Sequence, residues 1–339
     1  MSSTTAELQA YAMAETASVA QAAFSRLRAD LRGRIVGQEG LIERLLIALL
    51  AEGHLLVEGA PGLAKTTAIK ELAARIEGNF QRVQFTPDLL PGDLTGTDIY
   101  RPETGEFQFQ SGPLFHNLIL ADEVNRAPAK VQSALLEAMG ERQITVGGRT
   151  YALPDPFMVM ATQNPIEQEG TYPLPEAQLD RFLLHVRVQY PDPASERGIL
   201  DIARAEARGR LRRNDEAQMQ IGRDLILAAR DEVMDLHMAD NLEEYLVQLV
   251  LATRDPSPYD QDLARLVDYG GSPRATIAID RCARARAWLR GSDYVTPDDI
   301  HAVAYDVLRH RVLLSYAAES EGIDPDDFVG ELIRRVPMV

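Results

Sequence analysis

Short apolar runs separated by amphipathic segments fill the first 190 residues of the chain. Five of these runs have the length and the content of apolar or β-branched residues that favour strands, at 54–58, 82–85, 118–121, 157–162 and 183–188. Segments with helical periodicity lie between them, notably 67–77 and 129–139. Nearly continuous apolar strands alternating with helices are typical of a parallel sheet covered on both faces, so the pattern predicts a βαβ organisation.

Two stretches interrupt this alternation and predict β-hairpins. Residues 99–110 turn at Thr104-Gly105, and residues 143–153 turn at Gly147-Gly148, a dipeptide suited to a tight primed turn. Judged by shape alone, such insertions are as often surface decoration as functional elements.

The strand signals stop after residues 191–193. Helical periodicity then covers 194–208, 222–236, 240–254, 275–290 and 297–310. Thr296, Pro297 and two acids have the features of a helix start. We therefore predict three parts, an N-terminal tail and helix at 1–32, an α/β domain at 33–190 and an α-helical domain at 191–339.

Composition limits the classes of function. The chain has 339 residues, 45% of them hydrophobic and 25% charged, as in soluble globular proteins with about two domains. No apolar run approaches a membrane span, and the single Cys282, expected to be a small buried residue, excludes an internal disulfide. These features predict a cytoplasmic protein. The net charge of −16 disfavours nucleic-acid binding and favours basic protein partners.

The segment Gly59-Ala60-Pro61-Gly62-Leu63-Ala64-Lys65-Thr66 stands between an apolar strand and a helical segment that begins at Thr67. A glycine-rich turn in this position directs several backbone N–H groups and a helix N-terminus at one point, which favours phosphate. Lys65 would reach the β and γ phosphates, and the Thr66 hydroxyl would ligate magnesium. Ala64 replaces the glycine of the general pattern, which we expect to be tolerable if its φ is negative. The alternative is a strand–turn–helix with a solvated lysine.

Asp122 and Glu123 end the apolar run 118–121, which places both acids at the carboxyl edge of a buried strand, where open α/β sheets bind ligands. Asp122 would hold magnesium through water, and Glu123 would orient and deprotonate an attacking water. The alternative is a pair of solvated acids. Asn164 follows the next strand and could bridge the γ phosphate and the water, with Thr162 and Gln163 as further candidates.

Two arginines are candidates for contacts with phosphate. Arg274 follows Ser272-Pro273 in the first turn of a predicted helix, where a cation opposes the helix dipole unless an anion lies beside it. Arg181 precedes the last predicted strand and could project toward a neighbouring subunit's nucleotide. For each arginine the alternative is an ion pair with a local acid.

The order and spacing of these segments resemble AAA+ ATPases, and more narrowly the MoxR family. Val36-Gly37-Gln38 resembles the box on the adenine side of the nucleotide, so Gly37 and Gln38 are expected to contact it. Residues 59–66 match the family's Walker A motif, including alanine before the lysine, and 118–128 resemble its Walker B region. Asn164 matches sensor 1, Arg181 the arginine finger and Arg274 sensor 2. The hairpins resemble the helix-2 and pre-sensor-1 insertions.

The resemblance implies an α/β P-loop AAA+ domain, a small all-α lid, and ATP with Mg²⁺ bound between subunits of a ring, commonly a hexamer. Arg181 would act in trans, and Arg274 would report nucleotide state through the lid. MoxR proteins resemble one another as chaperone-like remodellers that mature protein complexes or insert a metal cofactor, often with a VWA-domain partner. Three alternatives are a nucleic-acid motor, an ATP-binding subunit with negligible turnover, and the ATPase subunit of a magnesium-chelatase-like complex. A motor would need basic residues along the hairpins, which here carry only Arg101 and Arg149.

Overall fold

The computed structural model of the protein describes residues 18–165, 170–208 and 220–338, so the predicted tail at 1–17 lies outside it. Two helices come first, α1 (Val19–Arg34) and α2 (Glu39–Leu50). The Ser18 hydroxyl caps α1 by accepting a hydrogen bond from the Gln21 amide at 3.0 Å. Helix α2 buries eight of its twelve residues, as expected for an apolar helix in the interior.

Within the described residues, the central sheet is parallel and has five strands, β1 (Leu55–Glu58), β2 (Phe80–Gln84), β5 (Leu118–Asp122), β8 (Met158–Gln163) and β9 (Leu184–Arg187). Their spatial order is β2–β5–β8–β1–β9. The five predicted strands and the βαβ organisation are confirmed, with bounds that differ by one or two residues. Since all strands run in one direction, Asp122 and Gln163 end at the same edge as Glu58, the residue before the predicted phosphate loop.

The pleat of the strands divides the core into two parts. Leu55 and Val57 of β1 pack on one face of the sheet together with α1, α2 and the C-terminal helices. Leu56 points to the opposite face, where it packs with Phe182 and the apolar side of α5 (Ala129–Glu141). Since successive side chains of a strand alternate between faces, a nearly continuous apolar strand is required to fill both cores.

Helix α3 (Lys65–Ala73) follows β1, and the short helix α4 (Pro91–Thr95) leads into the first insertion. That insertion is the hairpin β3 (Gly96–Arg101) and β4 (Glu106–Ser111), and the second is β6 (Gln143–Val146) and β7 (Arg149–Ala152). Gly147 and Gly148 have φ values of 57° and 79°, the positive φ of the predicted primed turn. Phe109 and Tyr151 stack with ring centroids 4.2 Å apart, so the two hairpins contact each other.

A short helix, α6 (Glu176–Leu179), precedes β9. Helices dominate the chain after β9, and their bounds are α7 (Pro193–Ala207), α8 (Arg223–Met234), α9 (Asp240–Arg254), α10 (Gln261–Ala264), α11 (Pro273–Leu289), α12 (Pro297–Leu308), α13 (Tyr316–Glu321) and α14 (Pro325–Arg335). The five predicted helices are present, and α12 begins as predicted, with the Thr296 hydroxyl donating to Asp299 at 2.7 Å. The sequence-based prediction missed a small antiparallel pair within the helical lid, β10 (Val267–Tyr269) and β11 (Leu313–Leu314).

Ion pairs attach the lid to the β9 side of the sheet. Arg187, the last residue of β9, pairs with Asp324 at 2.8 Å and Asp326 at 3.2 Å, at the start of α14. On α2, Arg44 pairs with Asp306 of α12 at 2.7 Å. These ion pairs join the lid to the α/β domain.

Two further observations bear on the predicted class. Cys282 is fully buried on α11 and burial raises the pKa of its thiol, as expected for a small core residue rather than a nucleophile. Within the described ranges, no helix is both long and apolar enough to cross a membrane.

Candidate functional site

The predicted phosphate loop joins β1 to α3. Gly62 has a φ of 84°, and a Cβ at this position would meet open space, so the backbone there faces a cavity. Ala64 has φ 57° and ψ 15°, the left-handed conformation. The condition stated above for an unstrained alanine, a negative φ, is therefore not met. The loop needs this turn to pass into α3, and the alanine adopts it at a cost of about 1–2 kcal/mol.

Lys65 begins α3, and its ammonium group lies over the loop. Its Nζ donates a hydrogen bond to the Gly59 carbonyl at 2.5 Å. Gly59 packs closely against Val188, the residue after β9, so that an added Cβ would lie 2.9 Å from the Val188 carbonyl oxygen. Burial lowers the pKa of Lys65, while the negative charges of Asp122 and Glu123 oppose that shift. The cation is thus held beside both acids.

Thr162 connects Asp122, the predicted magnesium ligand, to Glu123, the predicted base. Its hydroxyl donates to Asp122 Oδ1 at 2.6 Å and accepts from the Glu123 amide at 3.0 Å. Glu123 itself has a left-handed backbone, with φ 58° and ψ 50°, and begins a 3₁₀ turn. The buried hydroxyl therefore fixes the backbone at the point where the strand ends and the second acid turns away.

The acids have further partners on β2 that sequence reasoning missed. Arg82 Nη2 donates to Asp122 Oδ2 at 2.6 Å, and Gln84 Nε2 donates to Glu123 Oε2 at 2.8 Å. Arg126 Nη1 donates to the same Glu123 oxygen at 3.0 Å. The β2–β5 register brings Gln84 beside Asp122, so no local motif could indicate the two partners on β2, whereas Arg126 follows Glu123 by three residues in the chain.

A cavity of about 320 Å³ brings the predicted residues together. We call it the P-loop cavity, and it is lined by Pro61, Gly62, Leu63, Ala64, Lys65, Thr66, Thr67, Asp122, Glu123, Thr162, Gln163 and Asn164. Thus Asn164, which is 9% exposed, lies in the same cavity as both acids. Gly59 and Ala60 form the buried base of the loop.

A second cavity of about 410 Å³ shares residues 61–64 with the P-loop cavity. Gln38 lies in its wall, together with Tyr190 and apolar residues of α7. Gly37, with φ 76°, supports this wall from behind, since an added Cβ would lie 2.7 Å from Ser195. A polar cavity joined to an apolar one matches a triphosphate joined to a purine base.

The same residues fit a magnesium ion that arrives with phosphate. Thr66 and Asp122 supply oxygen donors on one wall of the P-loop cavity. Over residues 18–165, 170–208 and 220–338, no group of three or more His, Cys, Asp or Glu side chains is placed to hold a metal ion. Magnesium commonly uses one or two protein oxygens plus phosphate and water, so this donor set is suited to it.

Arg181 and Arg274 line a different cavity, of about 260 Å³. We call it the arginine cavity, and its cations are Arg142, Arg181, Arg274, Arg281 and Arg311. Arg274 lies 3.6 Å from Asp180, and Arg181 Nη1 donates to the Leu136 carbonyl at 2.6 Å. Arg181 and Arg274 therefore line a cavity that is separate from the P-loop cavity of Lys65, Asp122 and Glu123.

Comparison with known proteins agrees with this fold. Residues 54–184 match the model of the ATPase family associated with various cellular activities (AAA), and residues 261–332 match the AAA lid domain. A crystal structure of a candidate ATPase from Cytophaga hutchinsonii superposes with a TM-score of 0.85 at 46% identity, over 94% of this chain and 96% of that one. The fold and the phosphate loop therefore define an AAA+ ATPase, a class of ATP-hydrolysing enzymes.

Curated relatives narrow the class. The chain is 47% identical to Chaperone MoxR1 of Mycobacterium tuberculosis, over 91% of this chain and 80% of that protein. It is 34% identical to Protein MoxR of Methylorubrum extorquens, over 90% of this chain and 92% of that protein. The protein belongs to the MoxR family of AAA+ ATPases.

Proposed function

We propose that the protein hydrolyses Mg·ATP at the interfaces of a homo-oligomeric ring, commonly a hexamer in this family, and so remodels partner proteins. The observation that carries the ring is the separation of two half-sites. Lys65, Asp122 and Glu123 line the P-loop cavity, whereas Arg181 and Arg274 line the arginine cavity. An arginine stabilises phosphoryl transfer only where it reaches the phosphate, so the arginine cavity would complete the site of a neighbouring copy.

Each residue of the P-loop cavity would have a distinct role. Lys65 would leave the Gly59 carbonyl to bind the β and γ phosphates, and the loop amides would bind the remaining oxygens. Thr66 and Asp122 would hold magnesium, which would neutralise charge on the β and γ oxygens. Glu123 would accept a proton from the attacking water, while Asn164 would orient that water. The Gln84 amide competes for the same Glu123 carboxylate.

A mixing experiment tests the divided site. Lys65→Ala removes the cis half-site and keeps the arginines, whereas Arg181→Ala does the reverse. We expect each variant alone to lose nearly all turnover, and the mixture to recover part of it at interfaces that pair the two intact halves. Native mass spectrometry would verify that mixed rings form. Mixed rings without recovered ATPase activity would contradict the trans assignment.

The chaperone-like role rests on the family and on a surface feature. The 47% identical relative is named a chaperone. Tyr100 and Phe107, on the first hairpin, are 52% and 69% exposed and lie 5.4 Å apart between ring centroids. Such an exposed aromatic pair suits contact with apolar segments of a client protein. A VWA-domain partner and metal-cofactor insertion extend this proposal on the strength of the family resemblance.

Trapping the ATP-bound state tests this role. Glu123→Gln should bind ATP without hydrolysing it and should retain clients that the wild type releases. The same variant with Tyr100→Ser and Phe107→Ser is the matched control, and it should lose protein clients while still binding ATP. Recovery of nucleic acid alone would favour a motor. We do not expect this result, because the basic residues Arg101 and Arg149 of the hairpins are accompanied by the acids Glu103 and Glu106.

A further inference from the structure

Arg311, which follows α12 in the lid, binds the backbone segment that carries Arg181. Its side chain is 3% exposed. Nη2 donates to the carbonyls of Asp180 at 3.3 Å and Phe182 at 2.5 Å, and Nη1 donates to the carbonyl of Leu183 at 3.2 Å. Arg181 therefore lies inside a short segment whose carbonyls on both sides are held by one rigid guanidinium group. A lysine has no such planar fork and could not hold all three carbonyls together.

Asp180 connects this segment to the second arginine. One oxygen, Oδ1, accepts from Arg311 Nε at 2.8 Å. The other, Oδ2, accepts from the Ser272 hydroxyl at 3.0 Å and lies 3.6 Å from Arg274 Nη1. Ser272 in turn caps α11 by accepting from the Arg274 amide. The Asp180 carboxylate thus contacts the start of α11, the helix that carries Arg274. Asp180 is also the residue directly before Arg181 in the chain.

His310 reinforces the same segment. Its Nε2 lies 3.1 Å from the Phe182 carbonyl, and burial lowers the pKa of its imidazole well below the usual value. The ring is therefore neutral, with Nε2 as the donor. Asp180 also keeps the buried Arg311 charge paired, opposing the lowering of its pKa by burial.

We infer that Asp180 and Arg311 are positioning residues that set Arg181 and Arg274 in one fixed geometry for a neighbouring subunit's γ phosphate. This inference rests on the proposed trans role of the two arginines. Two cations that converge on one phosphate must keep a constant separation, although one comes from the α/β domain and the other from the lid. The Asp180–Arg311 pair spans that junction and supplies the constraint. Displacement of a catalytic group by about 1 Å lowers the rate by about 100-fold.

The test uses two conservative variants in the full chain. Asp180→Asn keeps the shape of the side chain and removes its charge, and Arg311→Lys keeps the charge and removes the planar fork. Each should lower kcat by about 10- to 100-fold while ATP affinity changes less than about twofold. Glu321→Gln removes the partner of Arg265 elsewhere in the lid and serves as the matched control, with unchanged kcat. If Arg311→Lys fails to fold, Asp180→Asn decides alone.

Mixing with Lys65→Ala separates positioning from general structural damage. Rings that combine Asp180→Asn with Lys65→Ala should recover turnover, because the arginine cavity of the Lys65→Ala subunit is intact. If turnover is recovered when Lys65→Ala is mixed with Arg181→Ala, but not when it is mixed with Asp180→Asn, the positioning role is overturned and the divided site is retained. Absence of recovery in both mixtures would overturn the divided site and the positioning role together. Wild-type kcat in Asp180→Asn would also overturn the inference.

Discussion

Replacing Thr162 by valine tests whether one buried hydroxyl fixes the Asp122 carboxylate and the Glu123 backbone. Thr162 is 2% exposed, and its Oγ1 is shared between Asp122 Oδ1 at 2.6 Å and the Glu123 amide at 3.0 Å. Valine has nearly the same shape, so packing is kept while both hydrogen bonds are lost. The Glu123 backbone, with its left-handed φ of 58°, would lose the contact that fixes it.

The magnitude follows from the two bonds. A hydrogen bond to a carboxylate contributes about 1.5–3 kcal/mol, and one to a neutral amide about 0.5–1.5 kcal/mol. We expect the free energy of unfolding to fall by about 2–4 kcal/mol, since Asp122 and the Glu123 amide both lose a hydrogen bond. Turnover of the folded protein should fall by about 100-fold, more than the loss of stability alone would cause, because Glu123 would no longer be aligned with the attacking water.

Urea unfolding measures the first effect, and phosphate release at saturating ATP, well below the unfolding transition, measures the second. Thr162→Ser keeps the hydroxyl and should keep most of the turnover. Thr296→Val removes a hydroxyl that donates to Asp299 at the start of α12, so it should lose stability without losing turnover. A Thr162→Val protein that is destabilised yet hydrolyses ATP at the wild-type rate would refute the reasoning.

Three further outcomes are expected. Gln84→Ala should raise turnover about tenfold, because it removes a hydrogen bond of about 1.5 kcal/mol that competes with water for the Glu123 carboxylate. Steady-state phosphate release at saturating ATP checks this, and a fall in turnover would show that Gln84 assists the reaction. Burial lowers the pKa of His54 to about 4, so the neutral ring contributes fully to the free energy of unfolding above pH 6.5. That contribution falls by up to about 1.4 kcal/mol per pH unit as the pH is lowered from 6.5 to 4. Urea midpoints at pH 7 and pH 5 check this, and His54→Gln should reduce the difference between them. Gly140→Ala would place a Cβ 2.6 Å from Arg181 Nη1, so turnover should fall at least tenfold while the melting temperature stays equal or rises.

The features that the sequence predicted well are those encoded by local patterns. Helix α9 runs over the predicted 240–254, because a continuous apolar stripe determines it. The phosphate loop and the acids after β5 were predicted because parallel topology alone brings the carboxyl ends of neighbouring strands together. The left-handed φ of Ala64 was not predictable from the residue type, since alanine rarely adopts it.

The features that were missed depend on contacts between distant parts of the chain. Thr162 was only one of three candidates for a polar residue beside the acids, because its orientation depends on the pairing of β8 with β5. The position of Arg274 depends on how the lid is attached, and Arg187 and Asp324, which form that attachment, are 137 residues apart. Arg311 carried no motif at all, because its partners are backbone carbonyls that any residue type could supply.

Strand β8 connects the P-loop cavity at its end to the second hairpin at its beginning. It ends at the P-loop cavity beside Asn164, and the hairpin β6–β7 leads into its beginning. Six residues at about 3.3 Å each make it a stiff rod of about 20 Å in the middle of the sheet. Since Tyr151 stacks on Phe109, β8 is joined through the second hairpin to the first hairpin, which carries the exposed pair Tyr100 and Phe107. Strand β8 therefore forms a continuous physical connection between the P-loop cavity and the surface for which we propose client contact.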